Sequence, residues 1–409
     1  MTRWMIYDRW NNATHDGHGE LEKGDAMNGL NQYEIAAYYF PQYHSDPRND
    51  VWHGKGWTEW ALLKAARPRF PGHRQPIVPA WGYFDEADPR WTAQEIDLAA
   101  DHSITTFLYD WYWYQDNPFL QDGLEQGFLG SSNNQRLKFA LMWANHDWLN
   151  IFPAQSSNQP AVLASGRVSP AEFERMTDYI IERYFSRPNY LTINGEPYFS
   201  IYELSSFIAG LGGLDETRTA LERFRAKTSA LGFPGLHLNT IVWGVSLLPR
   251  EIARADPVQV ITHLRFSSTT TYAWVHHYTP DSDDFPRASY SKAAECNYDA
   301  WEEYSRRFPV PYYPNVSMGW DSSPRTVQSD RYEQRGYPWT AAFEGNTPAA
   351  FKAALQRAKT FLDRRGIEQK MLTINAWNEW TEGSYLLPDT VYGHAYLEAI
   401  REVFGSNAA

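Results

Sequence analysis

Glu379 and Glu382 stand three positions apart in the run Asn375-Ala-Trp377-Asn378-Glu379-Trp380-Thr381-Glu382-Gly383. Two carboxylates in one pocket push each other's pKa values apart, so one can stay protonated near neutral pH. Cleavage of a glycosidic bond needs that division: one group protonates the leaving oxygen while the other acts elsewhere on the ring. A helical turn of the loop would bring the two Cβ atoms to about 5–6 Å. E-x-x-E by itself is common on solvated helices. Here the flanking Trp377, Asn378, Trp380 and Gly383 set it apart, because aromatic rings around a carboxylate desolvate it.

The elements that must position such a pair read as alternating short apolar runs and amphipathic segments, the pattern of βα units. The strand candidates are Glu34–Phe40, Thr105–Tyr112, Lys138–Trp143, Pro197–Tyr202, Leu236–Val242, Val258–Ile261, Tyr312–Met318 and Met371–Ala376. Helices are expected over Trp91–His102, opened by Asp88-Pro89, and over Pro170–Arg183, with Ser169 as N-cap. Others are expected over Asp215–Leu231, ended by Gly232, over Thr347–Gly366 and over Gly393–Phe404. This order predicts an α/β fold, a (β/α)8 TIM barrel with long loops at its C-terminal face, notably after the first and sixth strands. An open doubly wound sheet is the alternative, and no Gly-x-Gly-x-x-Gly follows the first strand to favour it.

In such a barrel the active site lies at the C-terminal strand ends. His44 follows the first candidate, and Asp110 and Trp111 lie in the second. Trp143 and Asn145 follow the third, and Trp320 and Asp321 the seventh. With 18 Trp and 26 Tyr, the aromatics could simply pack a large core. Their placement beside Asn, Asp and Glu favours a sugar site, with faces for C–H stacking and polar groups for hydroxyls. Trp57 and Glu59 sit in Gly54-Lys-Gly-Trp57-Thr58-Glu59-Trp60. Glu59 and Asp110 are either substrate contacts or structural partners of Arg or Lys.

Other chemistries find less support. The net charge of -12 argues against a nucleic-acid groove and against an electrostatic membrane anchor. His44, His53, Asp46 and Asp50 match no metal-ligand spacing, so neither metal nor cofactor is expected. No G-x-S-x-G elbow with a credible triad is present. The lone Cys296 reads as a small packed hydrophobe. Residues 1–32, with Asn11, Asn12, His15, Asp16, Gly17, His18 and Gly19 clustered, read as a polar extension of a domain spanning 33–409. Neither a signal-peptide core nor a run of about 18 apolar residues is seen, which predicts a cytoplasmic protein, or a periplasmic or secreted one if an export signal has been removed.

Several motifs together carry a family resemblance. Tyr38-Tyr39-Phe40-Pro41-Gln42-Tyr43-His44, Gly54-Lys-Gly-Trp57-Thr-Glu59-Trp60, and Pro68-Arg69-Phe70-Pro71-Gly72-His73-Arg74-Gln75-Pro76 are three of them. Trp143-Ala-Asn145, Gly319-Trp320-Asp321-Ser-Ser-Pro324-Arg325, Asn346-Thr-Pro348 and Asn378-Glu379-Trp380-Thr-Glu382-Gly383 complete the set. Over roughly 33–402 the chain resembles WbsX-type proteins, which are related to glycoside hydrolase family 99. The resemblance implies a metal-free barrel that cleaves α-linked glycans, of mannose or deoxysugars, with retention. It implies that Glu379 deprotonates the sugar 2-hydroxyl, which attacks its own anomeric carbon to give a 1,2-anhydro sugar. Glu382 would be general acid and then general base, and Tyr39 and His44 would match pocket positions. Where the family often has Trp-Ala-Asn-Glu-Asn-Trp, this chain has Trp143-Ala-Asn145-His146-Asp147-Trp148. That departure alters charge and reach, and implies a different substrate choice. The WbsX label came from polysaccharide synthesis, so a glycosyltransferase is the second reading.

Overall fold

The computed structural model describes residues 32–156, 160–243, 256–278 and 284–405. The extension expected over 1–32 lies, except for Gln32, outside the described residues. The barrel strands are β1 (Glu34–Tyr39), β2 (Thr106–Tyr114), β3 (Lys138–Trp143), β4 (Glu196–Ile201), β5 (His237–Ile241) and β6 (Ser268–Thr270). They are followed by β7, in two pieces (Tyr312–Tyr313 and Asn315–Ser317), and β8 (Met371–Asn375).

Every neighbouring pair runs parallel. The first piece of β7 pairs with β6 and the second with β8, while β8 pairs with β1. Pro314, which has no N–H to donate, separates the pieces, and its carbonyl accepts from Thr373 N at 3.0 Å. The two halves of one strand thus close the ring. β1 is buried along its whole length, as expected of a strand covered on both faces.

Seven strand positions match the runs read from sequence. The sixth is a correction. Val258–Ile261 lies inside the helix Pro257–His263, capped by the Asp256 side chain on Val258 N, and the true strand is Ser268–Thr270. Asp-Pro is a helix-start signal, and Val260 and Ile261 are the helix's buried positions. The real strand is polar and buried, and two of its three hydroxyls, those of Ser268 and Thr270, find partners. Thr270 Oγ1 donates to Tyr313 O at 2.7 Å, and Ser268 Oγ accepts from Asn239 Nδ2 at 2.9 Å. No hydrophobic pattern announces such a strand.

Helix ends follow their caps. Asp88 caps Pro89–Asp101. Ser169 and Glu172 form a reciprocal capping box on Pro170–Ile180, which continues as a π turn over Ile181–Phe185. Thr347 caps Pro348–Arg365. Cys296, expected to be packed, is exposed on the helix Tyr290–Arg307. Among the described residues, no helix is long and apolar enough to cross a membrane.

Candidate active site

Glu379 and Glu382 occupy a tight loop after β8. Asn378–Glu379 pairs antiparallel with Ser384–Tyr385, and Trp380–Glu382 makes a single 3-10 turn between them. The turn closes at Gly383 with φ 65°, and a Cβ there would lie 2.7 Å from Asp321 Cβ. Both the left-handed backbone and the close approach require glycine. Asn378 accepts from Phe40 N at 2.7 Å and donates to Phe40 O at 2.9 Å, binding this loop to the end of β1. Trp380 stacks on Tyr385, with centroids 4.2 Å apart.

The loop after β7 supplies the charge that faces the acids. Arg325 is fully buried. Its Nε donates to Glu59 Oε1 at 2.7 Å, its Nη1 to Glu382 Oε1 at 2.5 Å and its Nη2 to Glu379 Oε2 at 3.4 Å. Burial alone would weaken its hold on its proton, but the charges of Glu59, Tyr337, Glu382 and Glu379 outweigh that and raise its pKa. Tyr337 donates to Glu382 Oε1 at 2.7 Å. Asp321 fixes the same loop: its N–H donates to Glu382 O at 2.5 Å. Its Oδ2 accepts from Gln75 Nε2 at 2.7 Å and lies 2.8 Å from His73 Nε2. Arg69 N donates to His73 Nδ1, which leaves Nε2 as the protonated nitrogen facing Asp321. Burial works against the charge of Asp321, yet hydrogen bonds from His73, Gln75 and Ser323 hold its pKa below the usual range.

From β2, Asp110 accepts from Tyr272 Oη at 2.8 Å, and the same hydroxyl lies 3.5 Å from Glu379 Oε1. Burial pushes the Asp110 carboxyl well above its usual range. Burial, with the neighbouring charge of Glu382, does the same to Glu379. Burial also raises Glu59, against the pull of Arg325. Asp110, Glu379 and Glu382 line a cavity of about 760 Å³ at the C-terminal strand ends, with Tyr112, Trp148, Phe152, Trp243 and Trp320 among its aromatic walls. Such a volume suits a small-molecule or sugar site.

Of the sequence candidates, Glu379, Glu382, Asp110 and Trp320 line this cavity. Glu59, Asp321 and Asn378 stand behind it, holding Arg325 and the β8 loop. The others turn elsewhere. Tyr39 donates to Glu95 Oε2 at 3.0 Å, beside the helix Pro89–Asp101, and His44 Nδ1 lies 2.9 Å from Glu86 Oε1. Trp111 donates to Tyr184, and Trp143 packs on Phe173 and Phe207. Asn145 bridges Glu203 N and O, Trp57 packs on His53, and Trp380 on Tyr385. The pleat decides this: Phe40, Asp110, Tyr112, Met142 and Ala144 line the cavity, so residues 39, 111 and 143 point to the helices. Tyr39 and His44, which the resemblance implies as pocket positions, are thus not among the residues that line this cavity. Asp46 and Asp50 serve the helix Pro47–His53 and Gly56 N.

Sequence reasoning misses Arg325 and Tyr337 as site residues. Their signal is Pro324-Arg325 and the long stretch between Met318 and Thr347, which forms a loop over the strand ends. It also misses Tyr272, which follows the misplaced sixth strand.

The strands thus form a parallel barrel with buried acids at the end of the last one. The chain belongs to the family described as "Glycosyltransferase WbsX", which it matches over residues 35–400. Curated relatives from two strains of Xanthomonas campestris pv. campestris, both described as "Uncharacterized protein WxcX", are 26% identical over 370 residues. The match covers 90% of this chain and 49% of theirs, so the chain spans about half the length of those relatives. Among solved structures, one described as "Glycoside hydrolase-like protein" superposes with TM-score 0.60 at 15% identity, covering 92% of this chain and 94% of the other. The GH99 endo-alpha-mannosidase from Bacteroides thetaiotaomicron, solved with BIS-TRIS-Propane, gives TM-score 0.56 at 11% identity, covering 90% and 95%. At these identities the superpositions establish the fold alone.

Proposed function

We propose that the protein hydrolyses an α-linked oligosaccharide or polysaccharide with retention, through a 1,2-anhydro sugar. The observation that carries this reading is the meeting of Glu379 and Glu382 at one guanidinium, Arg325, on the wall of an aromatic-lined cavity. In the first step Glu379 takes the proton of the 2-hydroxyl. The O2–C1 bond forms, the C1–leaving-oxygen bond breaks, and Glu382 gives its proton to the leaving oxygen. In the second step water bonds to C1 and loses a proton to Glu382. The C1–O2 bond breaks and Glu379 returns its proton to O2. The net change is addition of water across one glycosidic bond. Acids on one short loop suit this route better than direct attack, which places two carboxyls about 5–5.5 Å apart across the anomeric centre.

The cycle starts with one proton on the pair and one negative charge. Burial and the charge of Glu382 raise the Glu379 carboxyl above its usual range. The first step needs the shared proton on Glu382 and the charge on Glu379. Arg325 touches both carboxylates, so it stabilises the remaining charge on either one.

The family description supports a second reading, glycosyl transfer from a nucleotide sugar in surface-polysaccharide synthesis. Among the described residues lining the cavity, Arg325 is the only Arg or Lys, and its donors are taken by Glu59, Glu379 and Glu382. A diphosphate would find no uncommitted Arg or Lys on that wall. A screen of α-linked glycans, with product configuration read by proton NMR, tests both readings. Release of the α-anomer first is the expected result. An inverted product sinks the anhydro route, and binding of UDP- or GDP-sugars without glycan cleavage sinks the hydrolase.

A further inference from the structure

The two carboxylates of the β8 loop are held unequally. Glu379 takes long contacts, from Arg325 Nη2 at 3.4 Å and from Tyr272 Oη at 3.5 Å. Glu382 takes short ones, from Arg325 Nη1 at 2.5 Å and from Tyr337 Oη at 2.7 Å. Both short bonds end on the same oxygen, Oε1. A carboxylate oxygen offers two lone pairs, so these two donors fill it. Among the described residues, no donor reaches Oε2 of Glu382. A proton on this carboxyl therefore sits on Oε2, and Glu382 lines the cavity.

Tyr337 comes from the stretch between β7 and the helix Pro348–Arg365, and local bonds fix its place. Gly336 and Trp339 form a β-bridge around it. Ser322 Oγ donates to Pro338 O at 2.7 Å, and Trp320 Nε1 donates to Thr340 Oγ1 at 2.9 Å. Arg335 Nη1 donates to Ser156 O at 2.7 Å, tying this stretch to the loop after β3. The Tyr337 hydroxyl accepts from Arg325 Nη1 while it donates to Glu382, so it joins guanidinium to acid. Its donor also faces the charge that develops on Glu382 as the proton leaves, which is where a fixed hydrogen bond is worth most. Resting on the hydrolase reading, we propose that Tyr337 is a positioning residue for the general acid. With Arg325 it fills Oε1 of Glu382 and turns the proton-bearing Oε2 toward the leaving oxygen.

The test compares leaving groups that differ in their need for a proton. A glycosidic oxygen must be protonated to leave, whereas fluoride leaves with little help. Full-length wild type, Tyr337→Phe and Glu382→Gln are assayed on α-glycosyl fluorides of hexoses and 6-deoxyhexoses, as mono- and disaccharides, and on the matching α-linked oligosaccharides. Tyr337→Phe should lower kcat on the oligosaccharides about tenfold or more, as expected for one hydrogen bond to a charged group, and leave fluoride cleavage within about threefold. Tyr337 is 42% exposed and Phe keeps its ring, so little packing is lost. The ratio of the two rates, taken on one preparation, does not depend on how much of it is folded. A role only in holding the loop would lower both rates together. Such an equal fall, or no fall on either substrate, overturns the proposal. Glu382→Gln should move the ratio further in the same direction; an unchanged ratio there removes the acid assignment itself. Failure of the wild type to cleave any member of the panel overturns the hydrolase reading, and the role of Tyr337 with it.

Discussion

After β8, Glu379 and Glu382 line the cavity and meet Arg325 and Tyr337. Around β1 and its loop, Tyr39, His44, Glu86 and Glu95 are equally buried and equally polar, yet they bond to one another and to Trp377 outside the cavity. Both regions perturb their acids. Burial raises Glu379, and burial also pushes the Glu95 carboxyl up to about 8, helped by the charge of Glu86. His44 is raised overall because the bond and charge of Glu86 outweigh burial. A shifted pKa therefore does not separate chemistry from scaffold in this molecule. Access to the cavity does.

Four substitutions sharpen the contrast, in falling order of effect. Glu382→Gln should lower kcat on unactivated glycans by about 10²–10⁴-fold, the usual contribution of a general acid, with the melting temperature nearly unchanged. A near-wild-type rate would move the acid elsewhere. Arg325→Ala strands Glu59, Glu379 and Glu382 without their counter-charge and should cost about 3–5 kcal/mol in urea unfolding. A loss below about 1 kcal/mol would mean that water or a shared proton already neutralises the cluster.

The third concerns the scaffold. The folded value for Glu95, about 8, lies above the unfolded 4.5. The folded chain keeps a proton that the unfolded chain releases between those values. The stabilising contribution is thus full below about 4.5 and is lost as pH rises through about 8, at no more than about 1.4 kcal/mol per pH unit. Glu95→Gln should flatten that slope in melting curves taken across the window. Its amide can accept from Trp377 and donate to Tyr39, whose hydroxyl rotates. An unaltered slope would place the titrating group elsewhere. The smallest effect belongs to Tyr39→Phe. It deletes one bond to Glu95 and should cost about 1 kcal/mol of stability while leaving kcat intact. A clear fall in kcat would return Tyr39 to the site.

The barrel was legible in the amino-acid order alone, because runs buried on both faces and Pro-led, capped helices are local patterns that survive without tertiary information. So was the acid pair, since the Trp, Asn and Gly around Glu379 and Glu382 mark a tight desolvated loop. Which neighbours reach the cavity was settled only by folding. Tyr39 and Phe40, or Trp111 and Tyr112, differ by one residue in sequence and by a full side of the wall in space, because strand side chains alternate. Arg325 could not be paired from sequence with Glu59, Glu379 and Glu382: the residues come from three loops, brought together only when the ring closes. β6 escaped for the converse reason, as it is built of buried hydroxyl side chains, those of Ser268 and Thr270 held by partners far along the chain, and leaves no apolar trace.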